Sequence, residues 1–209
     1  MELLSPAQVV YVKQKVLTNE LKTELLRKSI HMLIALVPLL VSLVGKETTL
    51  FLLASGVLFY SYAEYSRLQG KFIPVVTRLT QAAAREADKY GFILGPITLG
   101  IGAMVSLLLY PAPASVIAIY ALAFGDSISS LVGKLFGQNS FPFTKSKTLE
   151  GSFACFLLVF ILTYRITGTT LPAFSVAAVA TLLEAVPIKD LDNIILPMGS
   201  GFMASLFLN

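Results

Sequence analysis

The sequence predicts an all-α integral membrane protein with about seven transmembrane helices, and three observations support that prediction. The chain of 209 residues is 56% hydrophobic and only 13% charged, whereas an average soluble domain is about 25% charged. Its mean hydropathy is +0.78, and its apolar residues fall into seven long blocks. Its basic residues concentrate between alternate blocks, which is typical of a chain that crosses a bilayer repeatedly.

The predicted spans are taken directly from the apolar blocks. Several are shorter than the ~20 residues that a helix needs to cross a bilayer, so their ends are approximate. We expect the whole chain, 1–209, to form one catalytic membrane domain. The spans cover residues 29–45, 48–63, 92–110, 112–133, 151–164, 169–187 and 193–208.

The distribution of positive charge predicts the orientation. Fourteen of the sixteen Lys and Arg residues lie in the N-terminal arm and in the second, fourth and sixth connections. The side of the membrane with more Lys and Arg is the cytoplasmic side, so the N-terminus is predicted inside and the C-terminus outside. No small-residue cleavage site follows the first block, so no removable signal peptide is expected.

Three cytoplasmic segments are predicted between the spans. Residues 1–28 form an amphipathic helix at the inner membrane surface, because leucines recur every four residues between charged side chains. Residues 64–91 contain a second interfacial helix that starts at Pro74. Residues 134–150 form a short loop that carries Lys145 and Lys147.

Polar residues within the apolar blocks mark a candidate site. A charged side chain at mid-bilayer costs about 2.5–3.5 kcal/mol, so it indicates function by default. In the predicted topology every candidate lies at the cytoplasmic leaflet. An ion pathway would place polar groups through the full depth, so a non-enzymatic transporter bundle is the less favoured class. The candidates are His31, Glu64, Asp126, Lys145, Lys147, Glu150, Glu184, Asp192 and Asn193.

These residue types suit transfer of a phosphorylated group to a lipid. Mg²⁺ binds through one or two carboxylates plus phosphate oxygens, and lysines neutralise phosphate charge in the transition state. Ser129, Ser130 and Gly133 share a small face with Asp126, where a bulky ligand can approach the backbone. A P-loop is excluded, since Gly133-Lys134 is followed by leucine. No nucleic-acid partner is expected.

Several candidates also have purely structural explanations. A lone histidine such as His31 is more often a packing residue than a catalyst. Glu64 and Arg67 are spaced as a helix-end ion pair worth a few tenths of a kcal/mol. Asp190 and Asp192 precede a span, where the helix dipole favours acids, and for Asp190 we prefer that explanation. Glu150 could simply cap the fifth span.

At this point the motifs resemble the polyprenol kinase family, which includes dolichol kinase, phytol kinase and CTP-dependent diacylglycerol kinase. The resemblance runs along most of the chain in order. It rests on Glu24-x-x-Arg27-Lys28-x-x-His31, Glu64-x-x-Arg67, Arg85-Glu86, Gly125-Asp126 with Ser129-Ser130, Gly133 and Gly137, Lys145-x-Lys147-Thr148-x-Glu150-Gly151-Ser152, and Glu184 with Asp192-Asn193.

The resemblance implies transfer of the γ-phosphate of CTP, with Mg²⁺, to an isoprenoid alcohol or diacylglycerol, the two lipid classes staying open. Asp126, Glu150 and Asp192 are the expected metal ligands. For the proton of the lipid hydroxyl, His31, Glu184 and Asp192 compete. The expected nucleotide contacts are Arg27, Lys28, Ser129, Ser130, Gly133, Lys145, Lys147, Thr148, Gly151 and Asn193; further candidates are Glu64, Arg67, Arg85 and Glu86.

The central stretch is also similar to CDP-diacylglycerol synthases, through Gly133-Lys134-x-Phe136-Gly137 and Lys147-Thr148-x-Glu150-Gly151. The later signature of those enzymes is absent, so a lipid-phosphate cytidylyltransferase is the alternative. The shortness of the chain favours a compact form in the plasma membrane of a prokaryote. Glycines in the third and seventh spans suit internal packing or a homodimer equally well.

Overall fold

The computed structural model describes residues 6–84, 91–142, 144 and 147–208, with side chains from residue 19 onward. Within those ranges the chain is helical and contains no strand, apart from an isolated bridge between Ser140 and Thr148. The all-α prediction is therefore confirmed.

Ten α-helices follow one another along the described ranges. A 3₁₀ turn, Leu33–Leu36, joins the first two, and a π-helical turn, Ala121–Gly125, joins the sixth and seventh. The helices are α1 (Pro6–Met32), α2 (Val37–Val44), α3 (Lys46–Leu68), α4 (Pro74–Ala83), α5 (Gly95–Leu109), α6 (Ala114–Tyr120), α7 (Asp126–Phe136), α8 (Leu149–Thr167), α9 (Thr170–Ala185) and α10 (Asp192–Leu208).

Proline positions explain two of the helix starts. Pro74 occupies the first position of α4, and Pro38 lies in the first turn of α2. Both positions suit a residue that lacks a backbone N–H, because the first N–H groups of a helix have no partner inside it. The helix predicted to start at Pro74 is confirmed, whereas its place at the membrane surface stays a prediction.

Three helical segments are long and apolar enough to cross a bilayer, judged by length and composition: Asn19–Val44, Ala114–Phe136 and Leu149–Thr167. α5, α9 and α10 are apolar but shorter, and α3 is less apolar because it contains Thr, Ser and Tyr residues. Large apolar side chains such as Leu58 and Leu182 are exposed, as expected on a lipid-facing surface. Seven spans and their orientation stay predictions.

The helices pack around a core formed by α6, the π-helical turn, α8, α9 and α10. α8 packs on α7 and α9, α10 packs on α5, α6 and α9, and α4 lies against α1 and α3. Gly102 allows the closest helix approach, because a Cβ there would lie 2.0 Å from the Asn193 carbonyl oxygen. This contact fixes the start of α10 against α5, and it confirms that a glycine of the third predicted span serves helix packing.

Candidate active site

Two cavities lie side by side at one end of the helix bundle. The larger, the polar cavity, has a volume of about 530 Å³ and lies between the end of α1, α7, the loop before α8 and the connection before α10. The smaller, the apolar cavity, has a volume of about 320 Å³ and lies between α1, α3, α4 and the start of α5. They share the side chains of Arg27, Lys189, Asp190 and Asn193.

Asp126 lies in the wall of the polar cavity and is 3% exposed. The π-helical turn that precedes it inserts an extra residue into the helix, a feature that often accompanies functional sites. Asp126 forms an ion pair with the buried Lys28, and Nδ1 of His31 lies 3.0 Å from Asp126 Oδ2. Neither ring nitrogen of His31 has a hydrogen-bond partner among the described residues.

A second ion-pair group lines the same cavity. Glu24 is 1% exposed and pairs with Arg27 one helical turn along α1. Lys134 of α7 donates to the other Glu24 oxygen at 3.0 Å. Since Glu24, Arg27 and Lys134 all line the cavity, this group links α1 to α7 and presents both signs of charge to a ligand.

Lys147 brings positive charge to the part of the wall formed by the loop before α8. Its ammonium pairs with the buried Glu184 of α9, which also accepts from the Ser152 hydroxyl at 3.4 Å. Burial lowers the pKa of Lys147, but the Glu184 and Asp126 carboxylates outweigh burial and raise it above its ordinary value. Lys147 is therefore protonated at neutral pH. Glu184 does not line either cavity, so its geometry suits holding this lysine.

The start of α10 supplies the third wall. Asp192 lines the polar cavity with Asp126, and its Oδ1 accepts from the Asn193 backbone N–H at 2.9 Å. The Asn193 amide donates to Thr98 Oγ1 at 2.9 Å. The tie to α5 holds Asn193 in the wall that both cavities share.

The predicted small face lies in the polar cavity. Ser129, Ser130, Gly133 and Thr148 line it. Thr148 also caps α8, since its hydroxyl accepts from the Gly151 N–H at 3.2 Å. A Cβ at Gly151 would lie 2.6 Å from the Ser129 carbonyl oxygen, so glycine is required for α7 and α8 to approach here.

The donor set of the polar cavity fits a magnesium ion that is bound together with phosphate. No group of three acidic, histidine or cysteine side chains within the described ranges is close enough to hold an ion by itself. Mg²⁺ needs only one or two carboxylates when phosphate oxygens and water complete its shell. Asp126 and Asp192 face one cavity and meet that requirement.

Other predicted residues lie away from the polar cavity. Glu150 accepts from the backbone and side-chain amides of Asn139, so it closes the loop before α8 and its metal role gains no geometric support. Lys28 and His31 reach Asp126 but do not line the polar cavity. Lys145, Arg85 and Glu86 lie outside the described residues.

Glu64 and Arg67 form an anchor between α3 and the segment before α5. Arg67 pairs with Glu64 at 2.7 Å and donates to the Gly91 carbonyl at 2.6 Å. Glu64, which is 1% exposed, accepts from the Ile93 N–H at 2.9 Å. The pair therefore holds α3 to the segment before α5 and is not a surface ion pair. It lines neither cavity.

Four charged residues of the polar cavity were not predicted as site residues. They are Glu24, Lys134, Lys189 and Asp190. The first two had a signal in the sequence, since Glu24 shares a helix face with Arg27 and Lys134 follows Gly133. For Asp190 the preferred explanation was the helix dipole, yet its backbone is left-handed, with φ at 62°, and its side chain lines both cavities.

The apolar cavity differs sharply in its lining. Phe59 and Tyr60 of α3, Val76 and Leu79 of α4 and Leu99 of α5 form much of its wall. His31 also lines it and is 6% exposed. Charged groups occur only in the wall shared with the polar cavity, so the rest of the lining suits a hydrocarbon.

Comparison with known proteins finds similarity to plant proteins named phytol kinase. A probable phytol kinase 1, chloroplastic, of Glycine max is 25% identical over 195 residues, which cover 75% of this chain and 65% of the relative. A probable phytol kinase, chloroplastic, of Triticum aestivum is 27% identical over 150 residues, which cover 61% and 49%. A probable phytol kinase 1, chloroplastic, of Oryza sativa subsp. japonica is 26% identical over 146 residues, which cover 61% and 46%.

The chain spans about half to two thirds of the length of these relatives. No protein-family model matches it, and no solved structure matches it. The relatives are named chloroplastic, so they give no support to the predicted plasma membrane of a prokaryote. The resemblance read from the motifs is confirmed by these similarities, which support membership of the polyprenol kinase family.

Proposed function

We propose, from the family membership that these relatives support, that this chain is a membrane kinase that transfers a phosphoryl group from a nucleoside triphosphate to the hydroxyl of a lipid alcohol. One observation carries the proposal. The polar cavity brings together four acidic residues, among them Asp126 and Asp192, and four basic residues, among them Arg27, Lys134 and Lys147. Phosphoryl transfer requires mainly this combination of positioning and charge stabilisation.

The nucleoside triphosphate would occupy the polar cavity. Arg27, Lys134 and Lys147 would contact its phosphate oxygens, while Ser129 and Ser130 would donate to them across the small face of α7. Asp126 and Asp192 would hold Mg²⁺, which supplies charge neutralisation between the phosphates when it is bound. The choice of CTP as the donor comes from the family resemblance.

The acceptor is a lipid alcohol, because the cavity lies among helices whose outward faces are apolar. Isoprenoid alcohols and diacylglycerol both meet that description, and the names of the relatives favour the isoprenoid class. We propose that the site faces the cytoplasm, as the distribution of basic residues indicates.

The test is a transfer assay with purified protein. CTP labelled at the γ-phosphate is incubated with Mg²⁺ and a panel of isoprenoid alcohols and diacylglycerol, with ATP and GTP as competing donors. Label in the organic phase is the expected result, and it should disappear in the Asp126→Asn variant. Absence of lipid label with every alcohol and donor would contradict the kinase proposal.

A lipid-phosphate cytidylyltransferase is the second candidate, since Gly133, Lys134 and Gly137, which carry the similarity to CDP-diacylglycerol synthases, all line the polar cavity. The same protein incubated with a lipid phosphate and α-labelled CTP separates the two. Label incorporated into the lipid from the α-phosphate, with release of pyrophosphate, would replace the kinase proposal by this alternative.

A further inference from the structure

The apolar cavity has two features that the nucleotide does not explain. It adjoins the polar cavity through Arg27, Asp190 and Asn193, yet most of its remaining lining is hydrocarbon. The phosphates of a nucleotide would gain nothing from that lining, because they need polar or charged partners. A ligand with one polar end and a hydrocarbon body matches both parts of the cavity.

His31 stands at the polar end of the apolar cavity with an unmet hydrogen-bonding requirement. The side chain is 94% buried, and neither ring nitrogen is hydrogen-bonded to any residue that the structure describes. Nδ1 faces Asp126 at 3.0 Å, which leaves Nε2 without a neighbour of that kind. Buried polar atoms are nearly always hydrogen-bonded. A hydroxyl can donate or accept, so it satisfies either tautomer of the ring.

The volume of the apolar cavity, about 320 Å³, lies at the lower end of the roughly 300–1,000 Å³ that is usual for small-molecule sites. It suits the hydroxyl end of one hydrocarbon chain, which is narrower than a glycerol that carries two acyl chains.

The outer end of the apolar cavity continues into an exposed apolar surface. Phe59, Val75 and Phe92 line the cavity and are 56%, 77% and 39% exposed. These side chains would face lipid in a membrane. A longer chain can therefore leave the cavity past them without entering water.

We propose that the apolar cavity is the acceptor site and that it selects a single-chain isoprenoid alcohol by the isoprene units next to its hydroxyl. The hydroxyl hydrogen-bonds to His31 and lies against the shared wall, facing the polar cavity. α4 covers the chain through Val76, Leu79 and Ala83, and the remainder of a longer chain extends into the bilayer. This inference rests on the proposed function, because the shared wall then becomes the place of transfer.

The first test detects binding without relying on catalysis. The full-length protein in lipid nanodiscs is illuminated with a 20-carbon prenyl alcohol that carries a diazirine on its second isoprene unit, and the adducts are mapped by mass spectrometry. Adducts on α3, α4 and the start of α5, competed by the unlabelled alcohol, are the expected result. Adducts only on the outward faces of α8 and α9 would overturn the inference.

The second test fills the cavity. Val76→Trp and Ala83→Trp each place an indole in the chain site, and Gln81→Trp is the matched control, because Gln81 is exposed on α4 and lines neither cavity. The filled variants should lose the adducts and raise the KM for the alcohol about tenfold or more, with the KM for nucleotide unchanged. Equal behaviour of all three variants would overturn the inference.

His31→Phe tests the hydroxyl contact. It should keep the photochemical adducts and lower kcat, and His31→Gln, which restores a hydrogen-bonding group, should recover part of that loss. Equal loss in both variants with the adducts retained would contradict the hydrogen-bond role. If the adducts are lost as well, the two tryptophan variants still decide whether the chain lies in the cavity.

A chain-length series measures selectivity. The KM should fall steeply from five to ten carbons and change less than about twofold beyond fifteen, since further units lie outside the cavity. A KM that keeps falling to twenty carbons or more, or a higher kcat/KM for diacylglycerol than for a prenyl alcohol, would overturn the inference. If adducts form in the cavity but no phosphate is transferred, the proposed kinase activity is contradicted and the assignment of the cavity stands. If phosphate is transferred and the tryptophan variants behave like wild type, the assignment of the cavity is contradicted and the kinase activity stands.

Discussion

The two cavities share a wall but differ in the side chains that line them. In the polar cavity, lining residues form ion pairs with partners far away in the chain, as Asp126 does with Lys28 behind the wall and Lys147 does with Glu184. In the apolar cavity, the lining side chains come mainly from short stretches of α3, α4 and α5, and charge is confined to the shared wall.

The difference teaches where each cavity is vulnerable. Breaking one buried ion pair leaves an uncompensated charge, which costs about 3–5 kcal/mol, whereas removing both partners is far less costly. Filling an apolar cavity changes no charge and leaves the ion pairs in place. Substitutions in the two cavities should therefore have separable effects on the two substrates.

The largest effect is expected at Asp126. Asp126→Leu removes the proposed metal ligand and leaves Lys28 buried without its partner, so turnover should fall by roughly a thousandfold or more, as when a main electrostatic group is lost. Thermal unfolding in detergent should show a clear loss of stability as well.

The double variant Lys28→Leu with Asp126→Leu separates these causes. It should regain much of the stability, because no lone buried charge remains, and it should stay inactive. Recovery of turnover in the double variant would show that Asp126 serves only to neutralise Lys28.

Lys147→Ala is expected to act on the nucleotide. Loss of one phosphate contact should raise the KM for the donor by about ten- to a hundredfold, with the KM for the alcohol unchanged. Lys46→Ala is the control, because Lys46 is exposed at the start of α3. The raised pKa of Lys147 keeps it charged up to alkaline pH, so this contact should not cause any change in donor KM between about pH 6 and 9.

Asn193→Ala tests the shared wall. The amide lines both cavities and is tied to Thr98, so its loss should raise both KM values by about three- to tenfold, corresponding to one hydrogen bond. A change confined to one substrate, measured by steady-state kinetics with each substrate varied in turn, would show that Asn193 belongs to one cavity.

Glu64→Gln should have the smallest catalytic effect. It weakens the ion pair with Arg67 and the hydrogen bond from Ile93, so the free energy of unfolding should fall by about 1–3 kcal/mol. Both KM values should change less than about twofold. A large rise in the KM for nucleotide, with stability preserved, would place Glu64 in the active site instead.

The contrast also explains what the sequence could predict. A charged residue inside an apolar block stands out, and helical spacing places Arg27, Lys28 and His31 on one face. Nine of the residues that line the polar cavity are therefore ones that the sequence singled out, and their roles stay predictions. The ion pairs were not predicted, because the partners of Asp126 and Glu184 lie 98 and 37 residues away and depend on how the helices pack.

The apolar cavity was not predicted at all. In a chain that is 56% hydrophobic, Val76 and Leu79 carry no contrast with their surroundings, and their amphipathic helix equally suits a membrane surface. The π-helical turn before Asp126 has no sequence signal either. Glu150 shows the converse, since the sequence suggested a metal ligand and the structure shows its carboxylate accepting hydrogen bonds from Asn139.

The central claim is that the two substrates bind in separate cavities that share one wall. KM measurements for both substrates on two variants test it most directly. For Lys147→Ala the KM should rise for the nucleotide alone, and for Val76→Trp it should rise for the prenyl alcohol alone, with the other value within about twofold of wild type. If each substitution raises both KM values equally, the two cavities do not hold separate substrates and the account is wrong.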